Sequence, residues 1–209
     1  GRNSRGRPIN NVIQLEEGEK VSAILAVREF PEDQYVFFAT AQGMVKKVQL
    51  SAFKNVRSQG IKAIALKEGD YLVGAAQTSG TDDIMLFSNL GKAIRFNEYW
   101  ERSGGDEGED ADIDNENDVS DGLDDEAAEG DNENALPSGK HGVRPSGRGS
   151  GGLRGMRLPA DGKIVSLITF SPECEQSALQ VLTATANGYG KRTPIVDYSR
   201  KNKGGQGNI

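Results

Sequence analysis

The sequence has 209 residues, 35% of them hydrophobic and 27 of them glycine, a length that suits one medium domain or part of a larger one. No stretch approaches the roughly 20 consecutive apolar residues of a membrane helix, and the polar, basic opening lacks the apolar core of a signal peptide. The net charge of −6 argues against a nucleic-acid partner, until the charge is mapped along the chain.

The opening residues form a basic junction, SRGRP, with Arg5 and Arg7. Residues 9–27 (INNVIQLEEGEKVSAILAV) read as a short strand, a turn at Gly18 and a second strand. Residues 35–53 (YVFFATAQGMVKKVQLSAF) read as an apolar strand, a turn at Gly43 and a strand carrying cations. A second junction, RSQGIK, holds Arg57 and Lys62. Both units then return, as 61–78 around Gly69 and as 83–100 (DIMLFSNLGKAIRFNEYW) around Gly91. Alternating apolar residues around glycine turns signal β-hairpins.

The pattern breaks at residue 104. Between Gly104 and Gly139 stand 15 of the 31 acidic residues and none of the 25 basic ones, so that segment carries −15 and the rest of the chain +9. The segment has no aromatic residue and no sustained apolar period. Its expected state is disorder, because it buries too little surface to offset ordering entropy. The flank at 140–152 is Gly-rich, basic and expected to be loop. The expected organisation is therefore two repeat units over 1–103, an acidic and Gly-rich insertion over 104–147, and a further unit with the start of another over 148–209.

After the insertion both units appear a third time, as 153–170 around Gly162 and 179–198 (LQVLTATANGYGKRTPIVDY) around Gly188. Asn187-Gly188 is a strong two-residue turn signal, because Asn and Gly tolerate positive φ. Gly43 and Gly91 are 48 residues apart, and Gly91 and Gly188 are 97 apart. The excess over one repeat matches the insertion. Two hairpins per repeat give four strands, the size of a propeller blade. The fold expected is all-β, with about three four-stranded antiparallel blades. With no initiating Met and a last repeat that breaks off at Ile209, the chain reads as a piece of a longer protein.

Four residues after the turn glycines stand Lys47, Arg95 and Arg192, flanked by Lys46, Lys92 and Lys191. A second set lies at the Gly- and Ser-rich junctions: Arg5, Arg7, Arg57, Lys62, Arg148, Arg154, Arg157, Lys201 and Lys203. Any one such cation is ordinarily a solvated surface residue. Recurrence at one offset predicts a basic stripe across stacked blades, the footprint of a nucleic-acid surface. Glycines beside the cations let backbone N–H groups approach phosphates. With few aromatics outside the strands, a duplex suits this surface better than a stacked single strand.

SRGRPINNVIQLEEGEKVSAIL, ATAQGMVKKV, LFSNLGKAIRF and TATANGYGKRTPIVDY resemble the C-terminal domain of bacterial DNA gyrase A, part of a type IIA topoisomerase. The resemblance implies a β-pinwheel, a propeller-like disc of four-stranded blades with exchanged strands, around whose basic rim DNA bends. It implies a non-catalytic wrapping domain whose bent DNA lets the holoenzyme introduce negative supercoils. It also implies partners (double-stranded DNA, the rest of gyrase A, and gyrase B in an A2B2 assembly), ATP and Mg2+ used elsewhere in the holoenzyme, no cofactor in this segment, and a cytoplasmic, nucleoid-associated location. On this reading Lys46, Lys47, Lys92, Arg95, Lys191 and Arg192 sit on outer strands facing DNA, with the junction arginines on loops at the rim. The family's QRRGGKG box is absent, and RKNKGGQG near the end is similar to a degenerate copy. Without the box, the paralogous topoisomerase IV protein remains a second reading, and a protein-interaction propeller a third.

No catalytic or metal-binding constellation is visible. His141 stands alone, Cys174 has no histidine near it in sequence, and DADIDNENDVSD only half resembles a calcium loop. A single cysteine forms no internal disulfide, which suits a reducing compartment. The acidic insertion, tethered beside a basic face, is expected to compete with DNA for it.

Overall fold

The computed structural model describes residues 6–11, 13, 15, 17–55, 60–101, 142–174 and 178–208. The acidic run 104–139, expected to be disordered, lies outside the described residues, as do Arg5 and Arg57. Nine strands make up the described fold: β1 (Tyr35–Thr40), β2 (Met44–Gln49), β3 (Leu72–Thr78), β4 (Asp83–Ser88), β5 (Ala93–Asn97), β6 (Leu153–Arg154), β7 (Ile164–Phe170), β8 (Gln180–Ala184) and β9 (Gly190–Pro194). Among the described residues short 3-10 turns occur at Ile9–Asn11, Leu50–Phe53 and Ile195–Asp197. Among the described residues no helix is long and apolar enough to cross a membrane.

The three cation-bearing hairpins form as the sequence predicts: β1–β2, β4–β5 and β8–β9, all antiparallel. Their turn glycines, Gly43, Gly91 and Gly188, take φ of 83°, 78° and 83°, whereas no described non-glycine residue has positive φ. Asn187 therefore does not share the left-handed conformation, and the expected two-residue turn is replaced by a longer loop with one left-handed glycine. A hydroxyl three residues before the glycine closes each loop. Thr40 Oγ1 accepts from Met44 N at 3.2 Å, Ser88 Oγ from Lys92 N at 3.1 Å, and Thr185 Oγ1 from Tyr189 N at 3.2 Å. This side-chain bond satisfies a backbone donor that the loop geometry leaves unpaired.

The other repeated unit does not make hairpins. Its second strand leaves to join the preceding hairpin: β3 pairs with β1, and β7 pairs with β4. Among the described residues its first segment forms a strand only in the third copy, as β6, and β6 pairs with β2. Alternation marked β3, β6 and β7, whereas residues 17–27 and 60–67 form no strand, and it carries no information about which edge a strand will find. The resulting sheets are β3-β1-β2-β6, β5-β4-β7 and β8-β9. In the second sheet the fourth place is held by an isolated bridge, Ala93 to Asn208.

The sheets pack in series. Phe37, Ala39 and Val45 of the first meet Ile84, Leu86, Ile94 and Phe96 of the second. Met85 on the opposite face meets Val181 and Ile195 of the third hairpin. Val36 and Phe38, on the far face of the first sheet, meet Leu25, Val27 and Phe30. β1 and β4 are thus buried on both faces, which is why YVFFAT and DIMLFS are almost continuously apolar. Strands from both sides of the insertion share these sheets, and Val143, within the expected insertion, is buried in the central cluster. Residues 142–147 are thus part of the packed body, held where Val143 N donates to Glu98 O.

Candidate nucleic-acid interface

Lys47 and Arg95, expected on the outer rim, are buried. They are 2% and 5% exposed. Lys47 Nζ donates to Glu98 O at 2.9 Å and lies 3.6 Å from Glu98 Oε2. Arg95 Nε and Nη2 reach Asp83 Oδ2 at 2.8 and 2.6 Å, and Nη1 donates to Ile195 O and Tyr198 O. Asp83 also accepts from Arg200 Nε and Asn97 Nδ2. The physical reason for the correction is the packing: the strand face that carries the +4 cation is covered by the next sheet, so the cation must find partners inside.

Lys46 is corrected as well, at 1% exposed. Its three N–H donors are matched by three carbonyls, Ala63 O at 3.0 Å and Arg148 O and Ser150 O at 2.8 Å. An ammonium offers three donors and no acceptor, so this cage is complete. Burial sets the ionisation of the Lys47–Glu98 pair. It pushes the Glu98 carboxyl up from its ordinary range, opposed by Lys47 and by hydrogen bonds from Thr78 and Asp82. It pushes the Lys47 ammonium down, opposed by Glu98. Neither Asp83 nor Glu98 stood out in the sequence, since a lone acidic residue at a strand end reads as a solvated one.

The junction cations fare differently. Residues 145–153 and 200–208 are two copies of one loop, each laid along the edge of an earlier hairpin. Each enters beside the +4 cation, with bridges Pro145 to Lys47 and Arg200 to Arg95. Ser146 N donates to Lys47 O at 2.9 Å, and Lys201 N to Arg95 O at 2.8 Å. Each leaves through a left-handed glycine, Gly152 (φ 91°) or Gly207 (φ 71°). A Cβ there would fall 2.5 Å from Val45 O or 2.6 Å from Ala93 O. Only glycine lets the loop lie this close to the sheet edge. Within this frame Arg148 and Lys203 occupy the same place, three residues in.

The second loop also touches the chain just past the first: Gly204 N donates to Gly155 O and Arg157 N to Gly205 O, both at 2.8 Å. This pairing joins the backbone of 155–157 to that of 204–205; Arg154 and Arg157 are exposed, and Lys201 and Lys203 are half-buried. Lys46 ties the segment of Lys62, which is exposed, to the segment of Arg148 through Ala63 O and Arg148 O. Lys191 and Arg192 are exposed and Lys92 half-buried on the hairpins, and Arg7 is exposed near the start of the described chain. Arg144, which sequence reasoning passed over, is exposed and lies 5.7 Å from the Trp100 ring centre. What the geometry offers, then, is a cluster of loop cations on a Gly-rich backbone, supported from beneath by buried ones.

The sequence matches the family described as DNA gyrase C-terminal domain, beta-propeller, over residues 1–28, 34–79, 82–99, 141–171 and 180–209. The chain belongs to that family. It is 88% identical over 209 residues to the DNA gyrase A protein of Neisseria gonorrhoeae and 48% identical over 212 residues to that of Aeromonas salmonicida. Those alignments cover 100% and 99% of the chain but only 22% of each relative. Among solved structures, the C-terminal domain of DNA topoisomerase IV superposes with a TM-score of 0.71 at 21% identity, covering 98% of this chain and 49% of that one. The DNA gyrase A C-terminal domain superposes at 0.66, also at 21% identity, covering 99% and 53%. These two likenesses bear out the all-β pinwheel architecture.

Proposed function

We propose that this chain is a non-catalytic, DNA-wrapping part of DNA gyrase A, bending duplex DNA so that the holoenzyme introduces negative supercoils. The observation that carries this reading is the repeated edge loop. Two Gly-rich segments, 145–153 and 200–208, lie in the same way on successive sheets and carry Arg148 and Lys203 at the same place. A cation repeated by stacking follows a curved track of phosphates, whereas a protein-binding propeller has no need of one. Arg154, Arg157, Lys201, Lys62 and Lys92 extend the track. Arg7 and Lys191, together with Arg5 and Arg57 outside the described residues, complete the proposed set. The strong sequence relatives are gyrase proteins, which favours gyrase over topoisomerase IV. On this reading the partners are duplex DNA, the rest of gyrase A, and gyrase B in an A2B2 assembly. ATP and Mg2+ act elsewhere in that assembly, in the cytoplasm at the nucleoid.

The acidic run 104–139, at −15, would compete with DNA for the loop cations, most strongly at low salt where charge is least screened. Deleting it from the full-length protein should raise DNA affinity at low salt and leave it unchanged at high salt. Equal affinity at every salt would reduce the run to a spacer. For the wrapping itself, neutralising about six phosphates gives a slope of log K against log salt near −5. Arg154→Glu, Arg157→Glu and Lys201→Glu together should flatten that slope and abolish bending of a linear fragment. Bending that survives the triple change defeats the loop assignment.

A further inference from the structure

Lys46 is only 1% exposed, so its ammonium is closed off from a DNA backbone. What it holds is the main chain of two junctions far apart in sequence: Ala63 O beside Lys62, and Arg148 O and Ser150 O on either side of Gly149. The junctions also bond directly, Ala65 N donating to Ser150 O at 3.0 Å. The turn 146–150 is closed on itself. Ser150 Oγ lies 3.0 Å from Ser146 Oγ and 3.1 Å from Gly147 O, and Ser146 N donates to Lys47 O at 2.9 Å. Arg148 is the middle residue of that turn, and its own carbonyl is one of those the ammonium holds.

Without such a tie this segment has much freedom to lose. Gly147, Gly149, Gly151 and Gly152 fall within six residues, and glycine gives up more conformational freedom on ordering than any other residue. A ligand that must order the segment binds more weakly for it, and a segment ordered beforehand binds more tightly. Of the two edge loops, the one along β2 has this tie. At the same offset from the turn glycine β5 carries Ile94, which is buried in the central apolar cluster. Loop 200–208 is closed instead by Lys201 Nζ, which donates to Asn208 Oδ1 at 2.9 Å.

We propose that Lys46 is a positioning residue for DNA wrapping: by holding Ala63 O, Arg148 O and Ser150 O it fixes the backbone beneath Lys62 and Arg148 before DNA arrives. The inference rests on the wrapping reading. Phosphate contacts set the register of a duplex on a protein surface. Two such contacts on one tied backbone fix where the duplex is gripped along the first sheet. Lys46 then acts on DNA from the interior, through main-chain carbonyls, and not by touching phosphate.

The test is a double-mutant cycle in the full-length protein, read as affinity for a linear duplex and as its bending. Lys46→Met removes the tie and leaves both exposed charges in place. Lys62→Gln with Arg148→Gln removes the charges and leaves the tie. In the parent, Lys46→Met should weaken binding about tenfold and reduce the bend, whereas in the Lys62→Gln, Arg148→Gln protein it should change affinity by no more than about twofold. The same loss in both backgrounds marks a general weakening of the fold and overturns the assignment, as does parent-like affinity of Lys46→Met. Hydrogen exchange of the parent without DNA tests the same point on an unaltered fold. The amides of Ala65 and Ser146 should already be as slow as those of β2, and exchange at the pace of an exposed loop overturns the proposal. If Lys62→Gln with Arg148→Gln is silent while Arg154→Glu, Arg157→Glu and Lys201→Glu together abolish bending, the positioning role fails and wrapping stands. If neither set affects bending, the wrapping reading falls with it.

Discussion

The seams between sheets and the loops along their edges use the same cations for opposite purposes. In a seam, Arg95 is enclosed by Asp83, Ile195 O and Tyr198 O, and its charge serves to join one sheet to the next. Just past an edge loop, Arg154 and Arg157 are exposed, and their charge is available to a partner. The difference teaches that recurrence at a fixed offset marks a repeated environment, not a repeated function. The offset from the turn glycine selects a strand face, and the face that meets the next sheet is interior.

The sharpest break between the two regions is Asp83→Ala. It removes the carboxylate shared by Arg95 and Arg200 and leaves buried guanidinium uncompensated. Urea unfolding should show a loss of about 3–5 kcal/mol. A loss inside the scatter of surface substitutions would mean that water reaches Arg95. Lys46→Met comes next, because Ala63, Arg148 and Ser150 are each deprived of a buried donor. It should cost about 1–3 kcal/mol, and hydrogen exchange should quicken in 146–152 even though no exposed charge has changed.

A smaller, pH-dependent effect isolates Glu98. Its carboxyl titrates above the ordinary 4.5, so the folded state holds the proton more tightly than the unfolded one. That contribution to stability is full below 4.5 and is lost as pH rises through the raised value. Relative to Glu98→Gln, the parent's stability should therefore fall with rising pH above 4.5, by at most about 1.4 kcal/mol per unit, and then level off. Parallel curves would place a charged, fully compensated Glu98 in the fold throughout. The smallest stability effect belongs to the loops. Arg154→Glu, Arg157→Glu and Lys201→Glu should each stay within about 0.5 kcal/mol of the parent, while the salt dependence of DNA binding falls by about 0.9 for every phosphate no longer neutralised. A large drop in stability there would move those residues into the seam class.

Much of the fold was legible in the sequence. Gly43, Gly91 and Gly188 set the hairpins, and YVFFAT and DIMLFS announced strands buried on both faces. The Gly- and Arg-rich junctions also marked the loops that carry exposed charge. The candidate site was legible only in part. Arg148, Lys201 and Lys203 lie on the edge loops, Arg154 stands at the end of β6 and Arg157 just beyond it, but Lys46, Lys47 and Arg95 are interior. The repeated hydroxyl at Thr40, Ser88 and Thr185 was present in the letters and was passed over, because a single Thr or Ser beside a turn is ordinary.

Local alternation, and residues that tolerate positive φ, were enough to specify the three cation-bearing hairpins, their turns and the number of repeats. The partner of each strand was settled only by the packing of the whole chain. β3 and β7 cross to the preceding hairpin because its edge and apolar face are what their side chains complete, and no local signal names that edge. The same exchange settled which cations are enclosed. A lysine or arginine four residues after a turn glycine is latch or surface charge according to whether another sheet covers it, and that depends on residues far away in the chain.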